Sequence, residues 1–390
     1  GYPGGAIMPI YDAMLDYKVH HILTRHEQGA THAADGYARA SGRVGVAMAT
    51  SGPGATNMVT GIATAMLDSS PIVCITGQVP AHVIGTDAFQ ETDVTGVTLP
   101  ITKHNYLVTE VDELAHTLRE AFYVAGSGRP GPVLVDIAKN AQIAETDFEW
   151  DDAPVRLPGY RPDMRADSET FQRAADMINS SERPLILSGH GVIASGAMTP
   201  LREFVERSNI PLSTTLLGIG GFPASHPLNL GMMGMHGESW VNSAIQQADL
   251  LLAFGMRFDD RVTGNLATYA QNARKIHVEI DPSEIDKNVK VDVAIIGDLR
   301  ETLEQLLPLT KKGQHGEWLG SIDALKGDSA VRDIKDMPDM GNLYAAHIIH
   351  DLWRITDGDA LVVTDVGQHQ MWEAQYYHHD DPRSLITSGG

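Results

Sequence analysis

Short, almost wholly apolar runs, spaced by helix-length stretches, set the strongest limit on how this chain folds. They lie at residues 44–49, 72–76 and 133–137 in the first third of the sequence. Such a run has no polar face, so as a strand it must be covered on both sides. That is the signature of a parallel sheet with helices on each face. Helical patterns at 6–16, 30–41 and 111–125 supply the covering layers. The segment 127–132, Gly- and Pro-rich, reads as a tight helix-to-strand connection.

The same grammar returns twice. Strand patterns at 184–188, 249–254, 275–280 and 293–296 alternate with helical patterns at 168–180 and 199–208, and Asp298 is placed to cap a helix over 299–307. A last helix pattern at 344–355 precedes strand patterns at 360–364 and 385–387. The expected fold class is therefore α/β, with three doubly wound parallel-sheet units, the third incomplete. The expected organisation is a first domain over 1–145, a linker over 146–165, a central domain over 166–335 and a third beginning over 340–390. Periodicity fails around the linker, where Asp151, Asp152, Pro154, Pro158, Gly159 and Pro162 cluster. A charged stretch over 311–340 reads as a second linker containing a helix.

Composition narrows the function. The 390 residues carry a formal net charge of -21, which argues against nucleic acid and anionic membrane as partners. No apolar stretch approaches the roughly 20 residues of a membrane span. The single cysteine, Cys74, sits in an apolar strand pattern and reads as a buried thiol in a reducing, cytoplasmic setting; a plastid or mitochondrial one would apply if a transit peptide preceded the chain. Both ends read as cut, since Gly1 opens inside a motif and Gly390 sits in what looks like a turn.

Chemistry concentrates around Glu27, in Arg25-His26-Glu27-Gln28-Gly29 at an expected strand-to-helix turn. A carboxylate held there in small-residue surroundings has its proton affinity open to tuning; taken alone it reads first as a helix N-terminal acid favoured by the macrodipole. Flanking it are two glycine turns that expose backbone amides to a ligand, Tyr2-Pro3-Gly4-Gly5 and Ser51-Gly52-Pro53-Gly54, the second opening a helix over 55–67. A polar loop, Gly85-Thr86-Asp87-Ala88-Phe89-Gln90-Glu91-Thr92, and Lys103 follow.

Taken in this order and spacing, these motifs resemble the catalytic large subunit of the acetohydroxyacid synthase (acetolactate synthase) family of thiamine-diphosphate enzymes. Further carriers are Ile101 to Asn105, Gly126 to Asp136, Gly234-Met235-His236-Gly237, Leu252 to Gly264 and Asp365 to Trp372. The resemblance covers essentially the whole chain. It implies decarboxylation of pyruvate and condensation of the bound hydroxyethyl carbanion with a second 2-keto acid, pyruvate or 2-ketobutyrate, in branched-chain amino-acid synthesis. Glu27 would bond the cofactor's pyrimidine ring. Gln90 and Phe89 would line the substrate side, Lys103 would add positive charge near it, and Gly5 would bring backbone close to the cofactor. Pro3, Gly4, Gly52, Asn57, Gln90, Gly367, Gln368 and His369 complete the implied thiamine-diphosphate contacts. For Phe89, core packing is an equal reading; for Lys103, a surface lysine at a strand end.

The resemblance also implies FAD in the central domain. Its residues would be Arg161, Gly189, His190, Gly191, Thr215, Leu216, Gly234, Met235, His236, Gly255, Arg257, Asp259, Arg261, Glu279, Ile280, Asp281, Gly297 and Asp298. Positions just past strand ends are where open α/β sheets bind ligands, and Arg257 and Arg261 either hold phosphate or pair with Asp259 and Asp260. No redox task for a flavin follows from the chemistry. The family's magnesium motif is expected beyond residue 390, so no metal ligand is assigned here; His378-His379-Asp380-Asp381 reads as solvated surface. A homodimer or homotetramer with sites shared between copies, and a regulatory small subunit, are the implied partners. Other readings are a thiamine-diphosphate decarboxylase or carboligase of glyoxylate or oxalyl-CoA type, against whose glyoxylate member Glu27 counts, and a non-catalytic flavin-binding relative.

Overall fold

A computed structural model describes residues 1–149, 152–330 and 341–390. The described chain forms two compact units, Gly1–Pro162 and Asp163–Gly389. The linker residues 150–151 and the boundary expected near 335–340 lie outside the described residues.

In the first unit the apolar runs become strands β1 (Gly45–Ala49), β2 (Ile72–Gln78) and β4 (Val133–Ala138), joined by β3 (His104–Val108). All pair in parallel, in the order β1-β2-β4-β3. The helix Glu27–Ser41 covers one face. Its Ala30, Ala34 and Ala38 recur every four residues on one stripe and pack with Ala47, Ile62 and Cys74. Alanine on that stripe lets the helix backbone lie close to the sheet. Arg39 locks the helix from outside, pairing with Asp35 at 2.9 Å and with Asp68 at 2.7 Å, which closes the following helix. The helix Val111–Gly126 covers the other face through Ala121, Val124 and Ala125.

Three local expectations differ. Residues before Glu27 form no paired strand, so Glu27 opens its helix from an extended, unpaired segment. The helix expected over 55–67 is two, Pro53–Thr56 and Val59–Leu67, interrupted at Asn57 and Met58. Strand β3 is an addition, discussed below.

The second unit contains β5 (Pro184–Ser188), β6 (Leu212–Thr214), β7 (Asn229–Met232), β8 (Leu250–Phe254), β9 (Arg274–Glu279) and β10 (Val293–Ile296). They form a parallel sheet in the order β10-β9-β8-β5-β6-β7. Counted within the unit this is 3-2-1-4-5-6 reversed, the strand order of dinucleotide-binding sheets, with its switch point between β5 and β8. The core on one face centres on Phe204, Phe254, Ile276 and Leu303. The other face includes Trp318 and Ile322. Those two belong to the helix Gly316–Ala330, so the start of the expected second linker is instead a packed layer of this unit. Apolar side chains hidden at Trp318 and Ile322 hold it there. The same unit carries the helix Ala345–Thr356 and a two-stranded parallel sheet, β11 (Val362–Val363) with β12 (Leu385–Ile386). Among the described residues no helix is long and apolar enough to cross a membrane.

Candidate functional site

Carboxyl ends of parallel strands are where loops converge, and in the first unit they converge on Glu27. The helix that Glu27 begins has His26 as its cap, whose Nδ1 accepts the Gln28 amide at 3.1 Å. Glu27 is only 7% exposed. The Asn57 side-chain amide donates to Glu27 Oε2 at 2.9 Å, from the break between the two short helices after β1. Asn57 and Met58 keep right-handed helical backbone angles across that break. Glu27 Oε1 lies beside the Gly54 backbone, 3.3 Å from where a Cβ would stand.

Around this carboxylate the backbone is close-packed. Gly52 has φ +58°, and a Cβ there would lie 2.6 Å from the Gln90 carbonyl oxygen. Only glycine fits that turn. Gly4 rests on the Thr50 side chain, whose Oγ1 accepts the Ala6 amide at 3.2 Å. Pro3, Gly4, Gly52, Asn57 and Glu27 are therefore brought together at one sheet edge, with Gln90 seated on Gly52. Gly5 is exposed, with open space where a side chain would be. Tyr11 was not anticipated: its half-buried phenol is pushed up to about 12, by burial first and by the Glu27 charge second. No sequence pattern marks it.

Phe89 is 87% exposed, so the core-packing alternative fails and the ring is presented outward. Gln90, also exposed, has φ +57° although it is not glycine. Their loop is tied down at its far end. Gln78, at the carboxyl end of β2, donates through Nε2 to Thr92 O at 2.9 Å and to Asp136 Oδ2 at 2.8 Å. Thr76 donates to Asp136 Oδ1 at 2.7 Å. Asp136 is 1% exposed, and burial pushes its carboxyl up to about 6 against these two donors. The pairing register, Thr76 opposite Asp136, makes this network, and it was not read from the sequence.

Lys103 is not brought to Glu27. It directly precedes β3, whose His104 pairs with Val133, so it sits at the amino edge of the sheet, opposite the glycine turns. Its Nζ donates to Val124 O, Ser127 O and, at 2.9 Å, Tyr160 Oη. These are the carbonyls ending the helix Val111–Gly126, where a cation complements the helix terminus. In this structure Lys103 is a helix-end brace rather than a charge facing substrate.

In the second unit, every expected flavin residue except Arg161 follows the carboxyl end of one of the six strands or, for Glu279, forms that end. Arg161 belongs to the first unit, its guanidinium 3.3 Å from Tyr160 O. Gly189, His190 and Gly191 follow β5. Across the switch point Gly255, at φ +57°, follows β8 and its carbonyl accepts the Gly191 amide at 2.9 Å. A Cβ on Gly189 would stand 2.4 Å from that same carbonyl. The two loops touch backbone to backbone, and the Gly189, Gly191 and Gly255 amides are taken up by Phe254 O, Gly255 O and Val278 O. Thr215 and Leu216 follow β6, the Thr215 amide bonding Ser188 O at 2.9 Å. Gly234, Met235 and His236 follow β7; Met235 and His236 are exposed, and the Met235 amide bonds Arg261 O at 2.8 Å. Arg257 and Arg261 stand 3.5 and 3.8 Å from Asp259 and Asp260, loose pairs that leave both cations available to an anion. Asp259 itself caps the helix Asp260–Thr263. Glu279 accepts the Ile280 and Asp281 amides, and Asp281 and Asp298 are helix caps. Gly297 bonds Glu279 O at 3.0 Å. Buried His277, which the sequence did not flag, donates from Nε2 to Met256 O at 2.8 Å and fixes the loop after β8; burial pushes its imidazole below the usual range.

Gly367, Gln368 and His369 lie exposed at the carboxyl end of β11, where Gly367 opens the helix Gln368–Tyr376. In the His378–Asp381 segment, Asp380 and Asp381 are exposed as the solvated reading expects, and His379 departs from it. His379 is 1% exposed, its Nε2 2.6 Å from Glu373 and its Nδ1 2.7 Å from Ser384 Oγ. Among the described residues no group of three or more His, Cys, Asp or Glu is placed to hold a metal ion.

The profile of the thiamine pyrophosphate enzyme N-terminal TPP binding domain matches residues 1–97, and that of the thiamine pyrophosphate enzyme central domain matches 171–306. The chain is 49% identical to an acetolactate synthase large subunit of Corynebacterium glutamicum, which covers all of this chain and 63% of the relative. It is 48% identical to a probable acetolactate synthase large subunit of Methanocaldococcus jannaschii, over all of this chain and 67% of the relative. It is 46% identical to an acetolactate synthase large subunit of Lactococcus lactis, over all of this chain and 68% of the relative. The chain thus spans about two thirds of the length of these relatives.

Proposed function

The chain belongs to the acetolactate synthase large-subunit family of thiamine pyrophosphate enzymes, and from that premise we propose that the intact protein is a 2-keto-acid carboligase. It decarboxylates pyruvate and joins the retained two-carbon unit to a second 2-keto acid, pyruvate or 2-ketobutyrate. The observation that carries this reading is the buried Glu27 carboxylate, oriented by Asn57 at the carboxyl edge of a parallel sheet.

The glycine cradle is packed by protein at Gly52 and Gly54, where Gln90 O, the Thr50 side chain and Glu27 close in, and is open at Gly5, where a flat ring can lie against backbone. When bound there, thiamine diphosphate supplies the nucleophilic carbon and the electron sink for loss of carbon dioxide. Glu27 presents its carboxyl to the pyrimidine ring as a hydrogen-bonding partner. Asn57, donating to Oε2, fixes which oxygen faces inward. Burial keeps water from competing for that carboxyl. Pro3, Gly4 and Gly5 bring backbone to the same edge, and Phe89 and Gln90 border the approach of the keto acid. In an oligomer that shares its sites between copies, Gly367, Gln368 and His369 are the residues we assign to the diphosphate of the cofactor held by another copy, with Mg2+ as its counter-ion. FAD is proposed over the loops at the switch point of the six-stranded sheet, with Arg257 and Arg261 toward its phosphates. A homodimer or homotetramer, a regulatory small subunit and a cytoplasmic setting complete the reading.

The test is product analysis on the intact protein with thiamine diphosphate and Mg2+, given pyruvate alone and pyruvate with 2-ketobutyrate. Acetolactate, and acetohydroxybutyrate in the mixed reaction, are expected. Carbon dioxide release without either product would reject the carboligase reading.

A further inference from the structure

The loop that carries Phe89 and Gln90 has a backbone that its sequence does not favour. Gly85, Asp87 and Gln90 have φ of +86°, +60° and +57°, and two of these are not glycine. Left-handed residues at that density persist only where surrounding contacts over-determine them. The contacts come mainly from one side chain. The Glu91 carboxylate accepts the Gly85 amide through Oε1 and the Ala88 amide through Oε2, the latter at 2.9 Å. The Glu91 amide in turn donates to Ala88 O at 2.9 Å, so residue 91 closes the turn from both its backbone and its side chain. The Gly85 and Ala88 amides, with smaller contributions from those of Thr86 and Asp87, hold the Glu91 carboxyl below the usual range. It is therefore the charged form that organises the loop, and a carboxylate facing several amides makes charge-assisted bonds stronger than neutral ones.

The consequence falls on the site. Gln90 O stands directly on Gly52, and Gly54 of the same turn stands on Glu27. The position of the braced loop thus sets how far the Gln90 side chain and the outward Phe89 stand from the carboxylate. Resting on the functional reading above, we propose that Glu91 is a positioning residue: its carboxylate fixes the loop 85–90 so that Phe89 and Gln90 meet the 2-keto acid in register with the cradle around Glu27. Glu91 does not itself touch substrate. It holds, from inside the turn, the two residues that do.

The test uses the intact protein with Glu91→Gln and Glu91→Asp. Glu91→Gln keeps the shape but turns an amide N–H₂ toward backbone N–H groups. It is expected to lower kcat/KM for pyruvate by about 10- to 100-fold, the scale of a misplacement near 1 Å. The effect should fall on substrate parameters, with the thiamine-diphosphate concentration for half-activation within about twofold of wild type. Glu91→Asp, still charged but one methylene shorter, is expected to recover part of the loss. Hydrogen exchange at the Gly85 and Ala88 amides should quicken in Glu91→Gln while exchange in the strands β1 and β2 does not. Unchanged exchange at those two amides overturns the brace. Quickened exchange with unchanged kcat/KM overturns the positioning role. A wild-type protein that forms no acetolactate sinks the functional reading alone, and the exchange measurement still decides the brace.

Discussion

The four-stranded sheet of the first unit and the six-stranded sheet of the second follow one plan and do different things with it. Both are parallel, both are covered by helices, and both gather glycine turns at the carboxyl ends of their strands. At the first edge the glycines make room around a buried carboxylate and the amide that orients it. At the second they bring two backbone loops into contact, and the charged side chains there are caps or loosely paired arginines near the surface. The plan supplies positions, and the residue type placed at each position decides between proton chemistry and holding an anion.

The largest expected effect tests the first edge. Glu27→Gln should fold, with an unchanged far-ultraviolet circular dichroism spectrum, and form acetolactate about 100- to 10,000-fold more slowly, the range of general acid–base contributions. Near-wild-type turnover would put the chemistry elsewhere and erase the contrast between the edges.

Next comes the second edge. Gly189→Ala places a methyl 2.4 Å from Gly255 O, which forces the two loops apart. Overpacking of this kind costs about 1–3 kcal/mol. The urea midpoint should fall, and so should retention of the flavin proposed to bind there. A loss of carboligation with full flavin retention would mean that the edges had been assigned the wrong way round.

A comparable effect, confined to the first unit, lies at Asp136. Its folded carboxyl is raised to about 6 from an ordinary 3.8. Its stabilising contribution is thus complete below about pH 4 and is lost as pH rises through about 6. The shift corresponds to roughly 3 kcal/mol across that window. Asp136→Asn should remove this pH dependence, read as urea midpoints at pH 4, 5, 6 and 7. A slope unchanged by the substitution would show that the buried group is not Asp136.

The smallest effect separates bracing from chemistry. Lys103→Met deletes cationic hydrogen bonds to helix-end carbonyls, and should lower stability by about 1–3 kcal/mol. Its signature is a lower urea midpoint. A raised KM at unchanged stability would return Lys103 to the substrate.

How legible these regions were depended on whether their signals were local. The central strands β2, β4, β5 and β8 are largely apolar on both faces, and they are buried almost along their whole length. Strand β3, His104–Val108, is an edge strand with an exposed His and Leu, so it carries neither alternation nor a continuous apolar run. Strands β6 and β7 are three and four residues long, too short to show a period. Glu27 was readable because a helix start, a glycine turn and a carboxylate lie close in sequence. The partners of His379 are five and six residues away and meet it only through a turn, so two histidines and two aspartates looked like a solvated run. Lys103 misled for the opposite reason. It is near the Phe89 loop along the chain, but a parallel strand begins at the edge opposite the one where such loops gather.

Residue 90 leaves one more consequence. A left-handed φ is the conformation in which glycine is at ease and a branched-out side chain is not, at a cost of about 1 kcal/mol. Glycine at 90 would therefore relax the backbone and leave the Gly52 contact untouched, since that contact is made by a carbonyl. Variants chosen for thermal resistance alone should drift toward glycine or asparagine there, and those chosen for turnover should keep glutamine, so this one position reads out which demand was imposed.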